Sequence, residues 1–102
     1  MQLLVNTGQV SSSDALDAHI RTKLTRALGH LGERLTRVEV HLRDENQLHR
    51  HSSDDKRVTI EARPRGMRPI TVEAIGGDFF QVAGVASGKL GRALERRFGR
   101  RA

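Results

Sequence analysis

The stretch Val58-Thr59-Ile60-Glu61-Ala62-Arg63-Pro64-Arg65-Gly66-Met67-Arg68-Pro69-Ile70-Thr71-Val72-Glu73-Ala74 decides the fold. Val58, Ile60 and Ala62 alternate with polar residues, and Ile70, Val72 and Ala74 do the same. A period of two puts the apolar residues of each segment on one side of a pleated sheet and leaves the other side wet. Between the segments, Pro64-Arg65-Gly66-Met67 carries turn chemistry: proline presets φ, and glycine supplies the backbone freedom a tight reversal needs. The spacing predicts two neighbouring strands of an antiparallel hairpin.

On the amino-terminal side, Val38, Val40 and Leu42 alternate with Glu39, His41 and Arg43, which predicts a third strand with one wet face. From Asp44 to Lys56 no periodic apolar residue occurs, and this stretch reads as a mobile loop. Farther out, Gln2 to Val5 is a short apolar strand ended by Asn6-Thr7-Gly8. Ser11-Ser12-Ser13-Asp14 then has the composition of a helix start: a serine hydroxyl accepts from an orphan backbone N–H, and Asp14 and Asp17 sit at the positive end of the dipole. Leu16, Ile20, Leu24, Ala27, Leu28 and Leu31 follow at helical spacing as one buried face, with Gly29 and Gly32 leaving the helix end open within several residues.

On the carboxy-terminal side, Gly76-Gly77-Asp78 opens a second helix capped by Asp78, with the apolar stripe Phe79, Val82, Ala83, Ala86, Leu90, Ala93 and Leu94. The order is strand, helix, three strands, helix. Each element has one apolar side, so the expected architecture is α+β: a two-layer β-α-β-β-β-α sandwich with both helices on one face of a four-stranded, mostly antiparallel sheet.

A chain of 102 residues suits one domain over 1–102. It holds no cysteine, which excludes disulfides and thiolate metal ligands and fits a reducing compartment. The start lacks the basic and apolar regions of a signal peptide, and no run approaches a membrane span, so a soluble cytoplasmic protein is expected, with no membrane partner. The net charge is +6 and the pI about 11.2, above the value of about 9 that marks candidate nucleic-acid binders. Residues 1–42, 43–75 and 76–102 carry +1, +1 and +4, so the basic excess gathers at the carboxy-terminal end, with a basic tail over about 97–102. A solubilising tail would give the same totals; the spacing is more specific.

On the second helix Lys89, Arg92 and Arg96 are three and four apart and form one stripe beside the apolar face. Arg97, Arg100 and Arg101 carry the positive field past the helix end. On the first helix His19, Lys23, Arg26 and His30 form a second stripe flanking its core face. Helices lying side by side would let the two stripes border one basic groove, which is what a phosphate backbone requires. With no Trp or Tyr, and with Phe79, Phe80 and Phe98 at positions suited to core packing, the chain lacks platforms for unpaired bases. Structured RNA, recognised through phosphates and shape, is the expected partner.

Other chemistry is weakly represented. His49, His51 and Asp54 could be read as a metal-dependent catalytic site, but Arg50 lies between the histidines and no helix or strand fixes their spacing. Gly84, Gly88 and Gly91 fall inside the second helix rather than in a phosphate loop between strand and helix, and suit close packing instead. No catalytic triad or carboxylate pair stands out, so no enzyme, cofactor, metal or small-molecule substrate is expected.

The pattern resembles the ribosome hibernation-promoting factors, also called ribosome-associated inhibitors or ribosomal subunit interface proteins. Met1-Gln2-Leu3 with Thr7-Gly8 is similar to their first strand and turn, and Ser13-Asp14-Ala15-Leu16 with Ile20, Lys23, Leu24 and Arg26 to their first helix. Asp78-Phe79-Phe80, followed by Lys89-Leu90, Arg92, Leu94 and Arg96, resembles the family's acidic–x–aromatic helix start and its K-L-x-R-x-L-x-K stretch. The resemblance implies a fold like a double-stranded-RNA-binding domain. It also implies binding to rRNA of the small ribosomal subunit and the intact bacterial ribosome, in the path of mRNA and tRNA, so that translation stops in idle ribosomes. Carried over by position, the RNA contacts fall on Lys23, Arg26, Lys89, Arg92 and Arg96, with Arg100 in the tail.

This chain departs from the family pattern in four respects. Phe80 stands where the family usually has Tyr, Gly84 where an acidic residue is common, and the 44–56 loop is longer than in many short members. No counterpart of the carboxy-terminal dimerisation domain of long members is expected, so a separate factor is expected wherever ribosomes are paired. The alternative reading is a general structured-RNA-binding domain with a non-ribosomal target.

Overall fold

Lining the apolar alternations up across a sheet demands a fixed register, and the computed structural model, which describes residues 1–45 and 55–99, has one. Strands β1 (Gln2–Asn6), β2 (Leu35–Asp44), β3 (Lys56–Pro64) and β4 (Ile70–Gly76) form one sheet in the order β1-β2-β3-β4. Strand β1 runs parallel to β2; the other two pairings are antiparallel. A parallel pair needs a long connection, supplied by helix α1 (Asp14–Leu28) and a 3-10 segment (Gly29–Arg34). Helix α2 (Phe79–Phe98) follows β4. This is the expected α+β sandwich.

Register places Val38 opposite Ala62 and Val40 opposite Ile60, and Ile60 opposite Val72, so one apolar row crosses the sheet. Leu16, Ile20, Leu24 and Leu28 from α1 meet that face together with Val82, Ala86, Leu90 and Leu94 from α2, and all are buried. The β3–β4 turn carries Gly66 at φ 72°, as its chemistry predicts. No helix among the described residues is long and apolar enough to cross a membrane.

Four boundaries differ from the sequence reading. Helix α1 stops at Leu28 because Gly29 takes φ 51°, and Leu31 packs against the core from the 3-10 segment instead. Strand β2 begins three residues before Val38, at the fully buried Leu35. An odd separation should turn Leu35 outward, but a register shift between Leu35 and Arg37 returns it to the core. Finally, Asp44 and Lys56 are strand residues paired in register, and the Glu45 N–H donates to the Asp55 carbonyl at 2.8 Å.

The helices touch through glycine. A Cβ at Gly91 would stand 2.8 Å from the Ala27 carbonyl oxygen, so the two backbones are nearly in contact there. At Gly84 the nearest atoms would be Cδ and Cε of Lys23, at 3.9 Å. Ser87 is 2% exposed and its Oγ has no hydrogen-bond partner. An unmatched buried hydroxyl costs about 1–3 kcal/mol, and alanine is the better helix former. Ser87→Ala is therefore expected to gain about 1 kcal/mol and raise Tm by about 4–8 °C in thermal unfolding followed by circular dichroism. A lowered Tm would mean that the hydroxyl has a partner after all.

Candidate nucleic-acid interface

The cations fall into two populations. On the sheet face turned away from the helices, each arginine meets a carboxylate: Arg37 with Glu39 at 2.6 Å, Arg63 with Glu61 at 3.2 Å and Arg43 with Glu45 at 3.7 Å. Arg57 lies 2.9 Å from both Glu45 and Glu73. Across the strands Arg37 faces Arg63 and Glu39 faces Glu61. Like charges opposite one another are unfavourable alone, and pairing along each strand offsets them.

At the root of the β2–β3 connection, Lys56 donates to Asp55 at 2.9 Å and to Asp44 at 3.2 Å. Hydrogen bonds to Asp55 and then Asp44 hold its ammonium charged above the ordinary lysine range. A raised folded-state value means that this pairing is present through neutral pH and fades only above the ordinary lysine value. Hydrogen bonds to Glu73 and then Glu45 likewise raise Arg57.

The helix layer is different. Asp17 and Arg21 pair at 2.8 Å, yet among the described residues none of Lys23, Arg26, Lys89, Arg92 and Arg96 has a carboxylate in ion-pair reach. Both helices begin at formed caps: the Ser13 hydroxyl accepts from the Leu16 N–H at 3.1 Å, and Asp78 accepts from the Phe80 N–H at 2.9 Å. These caps fix where each stripe starts around its helix.

The single groove bordered by two stripes is not what forms. Lys23 lies across Gly84, and the guanidinium of Arg92 folds back toward Gly88, where a Cβ would meet it at 3.3 Å. These two lie on the side of α2 where the helices meet, with the exposed Arg26 three residues on from Lys23. Lys89 instead reaches the opposite flank and donates to the Glu73 carbonyl of β4 at 3.0 Å. Arg96, seven residues on, projects on nearly the same bearing as Lys89. The cause is the glycine contact: Gly84 and Gly91 face α1, which turns the Lys89–Arg96 flank toward β4. The five cations thus form a band over the crest of α2 and into its junction with α1.

Arg97 anchors the end of α2 by donating to the Arg68 carbonyl at 2.8 Å, and Arg34 lies 3.8 Å over the Phe98 ring. Arg100 lies outside the described residues, as do His49, His51 and Asp54 of the metal reading. No cluster that could hold a metal occurs among the described residues.

One aromatic assignment needs correction. Phe79 and Phe98 pack against the core, but Phe80 is 40% exposed. It lies about 100° around the helix from Phe79, at the margin of the apolar stripe, and its ring meets His19 rather than the core. That angular offset was the available signal.

Solved structures share this architecture. A ribosomal subunit interface protein from Coxiella burnetii matches with a TM-score of 0.79 over 96% of this chain and 98% of that one, at 17% identity. The Thermus thermophilus Protein Y N-terminal domain matches with a TM-score of 0.69 over 95% and 99%, at 19% identity. At such identities the likeness is one of fold. No curated protein sequence matches the chain. The sequence profile described as Sigma 54 modulation protein / S30EA ribosomal protein, however, matches residues 4–102, and the chain belongs to that family.

Proposed function

We propose that the protein binds rRNA of the small ribosomal subunit and silences idle ribosomes by occupying the path of mRNA and tRNA. The observation that carries this reading is the separation of charge between two faces. Cations of the outer sheet face meet their own carboxylates, whereas among the described residues Lys23, Arg26, Lys89, Arg92 and Arg96 have none in ion-pair reach. Phosphates provide the missing counter-charge, and binding releases the counterions condensed on the RNA. The family description and the name of the Coxiella protein direct the choice of RNA toward the ribosome. Inhibition then follows from occupancy, with no bond made or broken, in the compartment where ribosomes work.

Co-sedimentation with purified ribosomes and separated subunits tests this. Saturable binding to the small subunit and intact ribosome at low salt is expected, with loss of translation in a reconstituted assay. Equal affinity for unrelated duplex RNA would replace the ribosomal target with a general structured-RNA one. No binding at low salt would reject both.

A further inference from the structure

Phe80 and Val85 are exposed by 40% and 47%, and both line a shallow groove of about 460 Å3 with His19, Lys23, Gln81 and Gly84. An exposed phenylalanine beside Lys23 is unexpected if this surface reads only phosphates. Its placement is also held from two sides. The Phe80 carbonyl can only accept, so the His19 Nε2 carries the proton and donates to it at 2.8 Å. The His19 and Phe80 ring centroids are 5.0 Å apart at 61°, an edge-to-face contact that covers at most one face of Phe80. The Asp78 cap fixes the Phe80 N–H from the other end. The ring is therefore a positioned surface rather than a loosely exposed side chain.

The groove wall gives the chemistry of the occupant. The methylenes of Lys23 lie beside Gly84, which has no side chain to fill the space, and among the described residues the lysine has no carboxylate in ion-pair reach. Gln81 offers an amide donor and an acceptor at the same rim. A protein partner would need about 800 Å2 on this side, far more than two apolar side chains supply. A flat aromatic group attached to an anion fits both halves of the groove. We infer that Phe80, held by His19, is a stacking platform for one unpaired RNA base, whose backbone phosphate is neutralised by Lys23. This inference rests on the RNA-binding reading above and adds to it contact with a base displaced from a duplex.

A single-stranded RNA octamer carrying one 2-aminopurine separates this inference from ribosome binding. Stacking on an aromatic ring quenches the fluorescent base. The full-length protein at low salt is expected to quench it, Phe80→Tyr to quench equally, and Phe80→Leu to lose the quench with a roughly 5- to 150-fold weaker octamer affinity. The salt slope should not change, because no phosphate contact is removed. Equal quenching and affinity for Phe80→Leu and the parent protein, or no quenching by either, would overturn the inference. Circular dichroism establishes that the variants are folded. Co-sedimentation with the small subunit is scored separately, so either reading can fail while the other stands.

Discussion

Replacing Lys89, Arg92 and Arg96 together with glutamate is expected to weaken small-subunit binding at least about a hundredfold at low salt, because each change removes a phosphate contact and adds a repulsive charge. The salt dependence gives the sharper signature. With five phosphates neutralised by Lys23, Arg26, Lys89, Arg92 and Arg96, the parent protein should lose about two to three orders of magnitude in affinity between about 50 and 200 mM salt. In the triple variant that logarithmic slope should be shallower by about three. The fold should survive: Lys89, Arg92 and Arg96 are exposed, and among the described residues the one hydrogen bond given up is that of Lys89 to the Glu73 carbonyl. Neutralising Arg43 and Arg63 on the opposite face should leave affinity unchanged, since their charge is already met by Glu45 and Glu61. A folded triple variant that binds like the parent protein would remove the helix layer from the interface.

The second large effect is on stability. Gly91→Val is expected to cost about 3 kcal/mol, the upper end of ordinary overpacking, and to lower Tm by roughly 12 °C or more. Even a lone Cβ at Gly91 would stand 2.8 Å from the Ala27 carbonyl oxygen, and a backbone atom cannot swing aside. Gly84→Ala is the control, because its Cβ would make ordinary contact with Lys23 at 3.9 Å. There the gain in helix propensity should stand, stabilising by about 0.5–1 kcal/mol. Thermal unfolding of the two variants should therefore move in opposite directions. If both raised Tm, the close helix crossing at Gly91 would be refuted.

The sequence declares the elements whose residues are chosen by burial and conceals those placed by pairing or packing. The β3–β4 hairpin was legible because Val58, Ile60, Ala62, Ile70, Val72 and Ala74 alternate without interruption around a proline–glycine turn. The start of β2 was hidden because a bulge reverses the parity that relates Leu35 to Val38. Asp44 and Lys56 looked like loop because their strand pairing is held by an ion pair rather than by apolar contact. At the candidate interface, spacing alone sets a bearing for each cation around its helix axis. It did not show which flank of α2 faces α1. That depends on which small residues the neighbouring helix approaches, and Gly84 and Gly91 settle it only once both helices are placed. Phe80 sits at the stripe margin, a bearing that helical spacing gives and the apolar character of phenylalanine obscures, and its ring lies against His19.

The closed root of the β2–β3 connection makes the chain tolerant of changes in length. The Glu45–Asp55 backbone hydrogen bond and the Asp44–Lys56 strand pair bring the two ends of that connection to one point. Once the ends are joined, doubling a loop costs only about 0.6 kcal/mol in closure entropy. Insertions and deletions within the connection are therefore expected to leave the sheet undisturbed. The same property makes it a natural place to splice in an affinity tag or a fluorophore-bearing peptide, leaving both chain ends and the cationic band of α2 untouched.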